Sequence, residues 1–384
     1  MTVTDILEAP AFKQAHARAE DWAHCAKLCV DQLLPLPKGA NFGFVYLTDD
    51  LAEDLSSVLT YLRQKTGIDH WVGTLGMAII GGGEEISEVR AVSAMVCRFP
   101  PGSFHLLPTL AEEDYELDVE VESWIAREQP TFAVVHGDPG NEISPYLIEE
   151  IAAHMGGFLV GGLTASRQAT HQIAGRLTGG GVSGVMFTAG VQVACGLTQG
   201  CEPLAEPHVI SDCLDNVIMG LDGRPALDVF KEDIGELLAR DLNKVAGYIQ
   251  AGLPIAGSDT GDYMVRSLVG IDTTRGWIAI GQDVNPGDRV LFARRDPSAA
   301  EADLAHMLKR LTARLDSKPK AALYISCVAR GAEMFGEPGR ELALLRQGLA
   351  DVDAADIPIT GFYAAGEISH NRLYGYTGVL TLFL

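Results

Sequence analysis

AALYISCVARG at 321–331, ITGFYAAGEI at 359–368 and YTGVLTLFL at 376–384 decide the fold. Each is an apolar run of strand length bounded by glycine or polar residues, and β-branched and aromatic residues recur in all three. A helix is expected near 338–350, between the first and second. The order is strand, helix, glycine-bearing strand, strand. Working outward, the same order occurs twice upstream. One copy runs from FGFVYL at 42–47 through a helix at 50–64 to WVGTLGMAII at 71–80 and AVSAMVCRF at 91–99. Leu51, Leu55, Val58, Leu59 and Leu62 make the helix's apolar stripe. The other runs from TFAVVHG at 131–137 to FLVGGLTA at 158–165 and VSGVMFTAG at 182–190. Ser144 and Pro145 mark the start of its helix, since proline fits a first helical turn whose amide has no partner anyway. The spacing puts Thr48, His136 and Cys327 at equivalent strand ends.

A weaker fourth repeat is expected between the second and third, with a helix at 226–242 and strands near 264–271, 277–281 and 289–294. A helix at 299–315 follows. Residues 10–33 read as one helix that stops before Pro35. The acidic stretch 111–122 reads as a solvated segment. The expected fold is therefore α+β: two domains of repeated strand–helix–strand–strand units, with largely antiparallel sheets and helices packed outside. The boundary falls at the prolines of CEPLAEPH, giving domains 1–205 and 206–384.

Bulk composition narrows the function. The chain has 384 residues, a formal net charge of −22, 47% hydrophobic residues and 42 glycines. A field of that sign repels phosphate backbones and anionic lipid, so nucleic-acid binding is not expected. No apolar run is long enough to span a bilayer and no leader is visible at the start, so no membrane insertion and a cytoplasmic location are expected. Seven cysteines without CxxC spacing suit free thiols in a reducing compartment. GGGVSG at 179–184 matches a dinucleotide-binding pattern but precedes a strand, where no helix N-terminus meets a phosphate. The ten histidines form no close pair on a helix face, so no protein-built metal site is expected.

GFYAAGEI, with SCVARG at 326–331, YMVRSLVGID at 263–272, DVNPGDRVLFARRD at 283–296 and LDGRPALDVF at 221–230, resembles the C-terminal FIST domain over about 221–384. VGTLG, VGGLTAS and the strands after them give residues 40–205 a likeness to the N-terminal FIST domain. The resemblance implies a bacterial sensory domain in signal transduction that binds a small molecule, with amino acids as suggested ligands. Some members bind haem and sense nitric oxide, and a histidine kinase is the kind of partner implied. Once both regions are placed, no residues remain for an output domain, so the signal is expected to pass to a separate partner.

Candidate site residues follow from the strand ends. Cys327 and Arg330 follow one strand, Glu367 and His370 another, and neighbouring strands would bring them to one rim. Arg330 offers a planar fork for a ligand carboxylate and Glu367 an acceptor for an amino group, with Tyr363 as a pocket wall. The alternative is that Arg330 pairs with Glu367 and locks the turns. Arg266 and Asp272 would share one face of a strand and pair as ions. His136 is the axial-ligand candidate if haem is bound, and otherwise a hydrogen-bonded turn histidine; no cofactor is required by the sequence. A Cys327 nucleophile with His370 and Glu367 would make an enzyme, but no catalytic signature is present, so an enzyme is not expected. A ligand-free interaction scaffold is the remaining alternative.

Overall fold

The computed structural model describes residues 11–242, 245, 247–255 and 262–384. The chain is α+β, with every sheet antiparallel apart from three parallel pairs among the described strands. It forms two compact units. One holds Met1–Thr198, Leu304–Leu373 and Thr377–Leu384, and the other Gln199–Asp303 with Tyr374–Tyr376. The change at Thr198 lies close to the expected boundary, but the chain after Leu304 rejoins the first unit. The second unit's main segment is thus an insertion in sequence.

The first unit contains three modules of one design. Each runs strand, helix, strand, helix, strand, hairpin, strand. Phe42–Thr48, Phe132–Gly137 and Ala321–Cys327 are the central strands, each parallel to the strand that follows its second helix: His70–Gly76, Phe158–Leu163 and Ile359–Ala364. These runs are almost wholly buried, and a strand covered on both faces reads as a continuous apolar segment without alternation. Ala91–Arg98, Val182–Phe187 and Thr377–Phe383 flank the central strands antiparallel.

Between the parallel pair and the returning strand, each module sends out a hairpin that pairs with another module. Ala78–Gly81 adds to Ile359–Ala364, Gln172–Ala174 adds to His70–Gly76, and Glu367–His370 adds to Phe158–Leu163. First gives to third, second to first, third to second: a closed ring of exchanges. The register is the same each time. Ile80, Ile173 and Ile368 stand opposite Gly361, Gly73 and Gly161. The expected single strand 71–80 therefore breaks at Met77, because its last residues belong to another sheet.

The inner faces share one core built from strands and the turns beside them, including Phe42, Phe44, Val134, Phe187, Leu323 and Phe362. The helices cover the outer faces in three separate clusters, around Leu55 and Leu62, Ile148 and Ile151, and Leu342 and Leu345.

Several expectations need correction. Residues 10–33 are not one helix: Ala11–Arg18 is an edge strand paired with Ala91–Arg98, and the helix is Trp22–Leu33, capped by the Asp21 carboxylate on the His24 amide. Alternating polar residues along 11–18 suit an edge strand with one covered face. The acidic stretch enters a helix, Val119–Glu128, whose Val121, Trp124 and Ile125 pack on the second module. The fourth repeat is not a module. Arg289–Arg295, His208–Leu214, Val217–Leu221, Trp277–Ile280, Tyr263–Asp272 and Ile249–Pro254 pair in that order, and the last pairs back to the first, closing a barrel. Ala226–Ala239 packs on it through Leu227, Val229 and Phe230. Arg266 donates to the Gln282 side chain, whereas Asp272 accepts from the amides of Thr274 and Arg275, so the two do not pair with each other.

Candidate functional site

The common register locates the strand ends. Gly73, Gly161 and Gly361 are equivalent, and each lies beside a central-strand carbonyl, of Val45, Val135 and Tyr324. Counting from these, Thr48, Asp138 and Cys327 are equivalent. His136 instead matches Tyr46 and Ile325, two residues earlier, which corrects its expected place. Glu367 matches Ile79 and Gln172, and Tyr363 matches Leu75 and Leu163. At these last two positions the third module thus carries ionisable groups where the others carry aliphatic or neutral ones.

Arg330, Cys327, Tyr363 and Glu367 do come together, all buried. Arg330, however, is already paired within the chain. Its Nε donates to Glu341 Oε1 at 2.7 Å, with both side chains fully buried. Glu341 lies in the first turn of Arg340–Ala350, where exposed amides favour a carboxylate. It also accepts from Tyr324 Oη at 2.7 Å and from Ser326 Oγ at 3.0 Å. Phe335 packs its ring against the guanidinium at 5.1 Å. Burial opposes the charge on Arg330, and Glu341 more than compensates, so the guanidinium stays protonated. The ion-pair partner of Arg330 is thus Glu341, a residue the sequence reading passed over. Glutamate in a first helical turn is common on surfaces and gave no signal.

Glu367 lies on the inner side of the same strand end. Its Oε2 accepts from the Thr377 amide at 3.0 Å and the Thr377 hydroxyl at 2.8 Å. Burial pushes its carboxyl up to about 8, against the hydrogen bonds of Thr377 and Cys327 and the charge of Arg330. Glu367 is thus protonated at neutral pH. The folded state holds this proton more tightly than the unfolded chain, so stability falls as pH rises from the ordinary carboxylate range toward 8. Relative to Glu367→Gln, the native chain should lose up to ~1.4 kcal/mol per pH unit between roughly pH 5 and 8. Urea midpoints of the two proteins across that range check this, and parallel pH profiles would refute it. Tyr363 faces the helix side, where its ring and Glu85 both crowd Gly331. Glu85 comes from the first module's hairpin and accepts from the Gly339 amide at 3.2 Å.

His370 does not join the group. It is exposed, with φ 59°, at the turn of its hairpin, where the equivalent Gly82 and Gly175 have φ 62° and 67°. Two residues of strand, Ile368 and Ser369, separate it from Glu367, and its ring lies against Phe158 with centroids 5.5 Å apart. A Cys327–His370 pair is not assembled.

His136 is fully buried in the inner core. It lies between Tyr46 and Phe362, with centroids at 5.6 and 5.7 Å, and its Nε2 is 3.3 Å from Tyr46 Oη. Burial lowers its pKa to about 3, so it is neutral. Its side chain is wholly enclosed, with two aromatic rings packed against it, and a macrocycle has no room beside it. The residues do not fit haem at this position. Among the described residues no group of three or more His, Cys, Asp or Glu is placed to hold a metal ion.

At the other two strand ends the sequence pointed to Thr48 and His136, but the polar groups that gather there are others. At the first, Asp49 is 1% exposed and binds the Arg167 guanidinium with both oxygens, at 2.8 and 2.8 Å. Arg167 arrives on the second module's connecting loop. At the second, Asp138 Oδ1 accepts from the Gly140 amide at 2.8 Å. Its Oδ2 accepts from Thr170 Oγ1 at 2.8 Å and the Gly180 amide at 3.0 Å. A cavity of about 560 Å³ opens here, lined by Asp138, Gly140, Asn141, Glu142, Ile143, Thr170 and Gly180. Asp-Pro-Gly-Asn between a strand and a helix could have flagged it as a shaped turn.

Three modules in cyclic exchange, carrying polar strand ends and an inserted barrel, define an α+β protein of two units. Residues 41–224 match the FIST N domain and residues 226–370 the FIST C domain, and the chain belongs to the FIST family. The junction between the two matches falls inside the barrel, before Ala226. An uncharacterized protein of Mycobacterium tuberculosis is 29% identical over 402 residues, covering 100% of this chain and 98% of that one. An uncharacterized protein of Mycobacterium bovis is 30% identical over 361 residues, 88% of each chain. Among solved structures, a cyanuric acid hydrolase from A. caulinodans aligns over 98% of this chain with 12% identity and a TM-score of 0.28, a likeness too slight to inform fold or chemistry. No helix among the described residues is long and apolar enough to cross a membrane.

Proposed function

We propose that this protein is a small-ligand sensor that binds an amino-acid-sized molecule at a strand end and passes the signal to a separate protein. The observation that carries this reading is the cavity at Asp138. It sits where a strand stops and a helix begins, a place where backbone and side-chain polar groups are left to meet a ligand. It is a solvent-open depression of about 560 Å³, wide enough to admit such a molecule. FIST membership supports the sensory role. The position is equivalent by register to Cys327 but lies on the second module, away from the rim the sequence suggested.

A non-catalytic role is supported by the separation of His370 from Cys327 and by the engagement of Arg330 with Glu341. The cluster at Cys327, Arg330, Tyr363 and Glu367 then serves to hold strand, helix and the neighbouring hairpin in one arrangement. A cytoplasmic location fits seven cysteines that form no disulfide.

Native mass spectrometry of the protein purified from its own host should show a retained small molecule. Adding that molecule back to stripped protein should raise its melting temperature, because a ligand that binds only the folded state stabilises it. Absence of any retained mass, together with unchanged melting across an amino-acid panel, would sink the sensor reading and favour a scaffold.

A further inference from the structure

His208 opens the barrel strand His208–Leu214, and both nitrogens of its ring meet carboxylates. Nδ1 is 2.6 Å from Asp222 Oδ2, in the turn after Val217–Leu221. Nε2 is 2.9 Å from Asp233 Oδ2, on the helix Ala226–Ala239. A neutral imidazole carries one N–H and an imidazolium carries two. Two ionised carboxylates at these distances are therefore both served only by the charged ring.

The two carboxylates differ in what else holds them. Asp222 Oδ1 accepts from the Val209 amide at 2.8 Å, and the Asp222 amide donates to the Val209 carbonyl at 2.9 Å. The turn is thus tied to the strand without the ring. The Asp233 side chain is 9% exposed, and among the described residues His208 is its one hydrogen-bond donor. Asp233 also stands two residues before Gly235, whose φ of 77° and ψ of 162° break the helix. Leu227, Val229, Phe230 and Ile234 pack before the break, whereas Leu237 beyond it lies in solvent. The other charges around the ring are Arg224 and Glu232, which pair with each other at the exposed surface, where an ion pair contributes little. Arg289, on the adjacent strand, stands opposite Val209 and donates to the Pro207 carbonyl.

We infer that His208 is a protonation-controlled clasp: its imidazolium joins the turn at 221–224 to the helix Ala226–Ala239, and loss of one ring proton to solvent as pH rises opens it. A neutral ring serves one carboxylate and turns a bare nitrogen to the other. Whichever keeps the remaining N–H, the buried Asp233 loses the charge that balanced it. The packed end of the helix then loosens beside the break at Gly235. Burial opposes the charge on His208, and its hydrogen bonds to Asp222 and Asp233 more than compensate, so its pKa lies above the ordinary value. The clasp is therefore fully closed below the ordinary imidazole range and is lost as pH rises through the raised value. Burial raises the Asp233 carboxyl against the pull of His208, so the clasp is also lost toward acid.

Hydrogen exchange of the full chain, read on peptides covering 226–239 and corrected for intrinsic rate, tests this at about pH 6 and about pH 9. Protection of this segment in the native protein is expected to fall roughly tenfold between the two. In His208→Gln the corrected rates should be the same at both, because an amide does not titrate. Should that variant fail to fold, Asp233→Asn gives the second reading: His208 still titrates beside Asp222, but the helix no longer responds. Nitrogen-15 spectra of the ring should also show both nitrogens protonated at about pH 7, above the ordinary imidazole value of about 6.5. A ring already neutral there, native protection that does not change with pH, or the native pH response in a folded His208→Gln or Asp233→Asn protein overturns the clasp.

Discussion

Arg330→Ala is expected to lower the stability of the fold by about 3–5 kcal/mol, because it leaves the Glu341 carboxylate buried without its counter-charge. Both members of the pair are fully buried, and Glu341 is also the acceptor for Tyr324 and Ser326. Losing the guanidinium therefore unsettles a network that ties the end of Ala321–Cys327 to the start of Arg340–Ala350. The pair need not stabilise the protein relative to an uncharged replacement. Desolvating two ions costs much of what their attraction returns. Arg330→Met combined with Glu341→Gln should recover most of the loss, since a glutamine oxygen still accepts from the two hydroxyls and no charge is stranded. Urea unfolding of Arg330→Ala and of the double variant measures this directly. Equal midpoints for native protein and Arg330→Ala would show that the pair does not clasp strand to helix. Ligand affinity should be unaffected in any Arg330 variant that folds, in contrast to what the sequence suggests for a ligand-facing arginine.

Gly361→Ala should prevent folding. A Cβ built at Gly361 falls 1.8 Å from the Tyr324 carbonyl oxygen, and those at Gly73 and Gly161 fall 1.6 and 1.8 Å from the carbonyls of Val45 and Val135. None of these contacts can be relieved by a side-chain rotation, because the obstacle is backbone in the adjacent parallel strand. The strands must move apart, and each stands in a sheet that also receives another module's hairpin. The expected cost exceeds about 4 kcal/mol, in the range reserved for a specific structural failure. Gly67→Ala is the control. It has φ 69° at a helix end with nothing within 4 Å, so its cost is the left-handed backbone alone, roughly 1–2 kcal/mol. Soluble expression and circular dichroism of the four alanine variants separate the two cases. A well-folded Gly361→Ala protein would mean that the parallel pair tolerates a side chain and that the shared register has another origin.

The buried cluster at the end of Ala321–Cys327 was legible in part. Cys327, Arg330, Tyr363 and Glu367 were found because they stand at the ends of two long apolar runs, and parallel neighbours bring such ends together. His370 was misplaced because the sequence does not show that 367–370 leaves for another sheet, and its left-handed turn position is more often marked by glycine, as at Gly82 and Gly175. Glu341, Asp49, Arg167 and Asp138 were missed because each is an ordinary polar residue near a loop until its partner is known. The 11–18 strand was missed because its neighbour lies at 91–98, and the helical spacing of Trp22, Ala26 and Cys29 was carried too far back.

By itself the sequence determined the three strand–helix–strand–strand repeats, since burial on both faces imposes unbroken apolar runs and a covered helix imposes its stripe. It also carried the family. Only the tertiary structure decided that the modules exchange hairpins in a ring and that the inserted segment closes into a barrel. It alone decided that two strand ends carry their own guanidinium while the third keeps a cavity. Hydrogen-bond pairing between strands is carried by the backbone, which is nearly the same at every residue. The choice of partner strand is therefore settled by packing across the whole fold and leaves little trace in the local sequence.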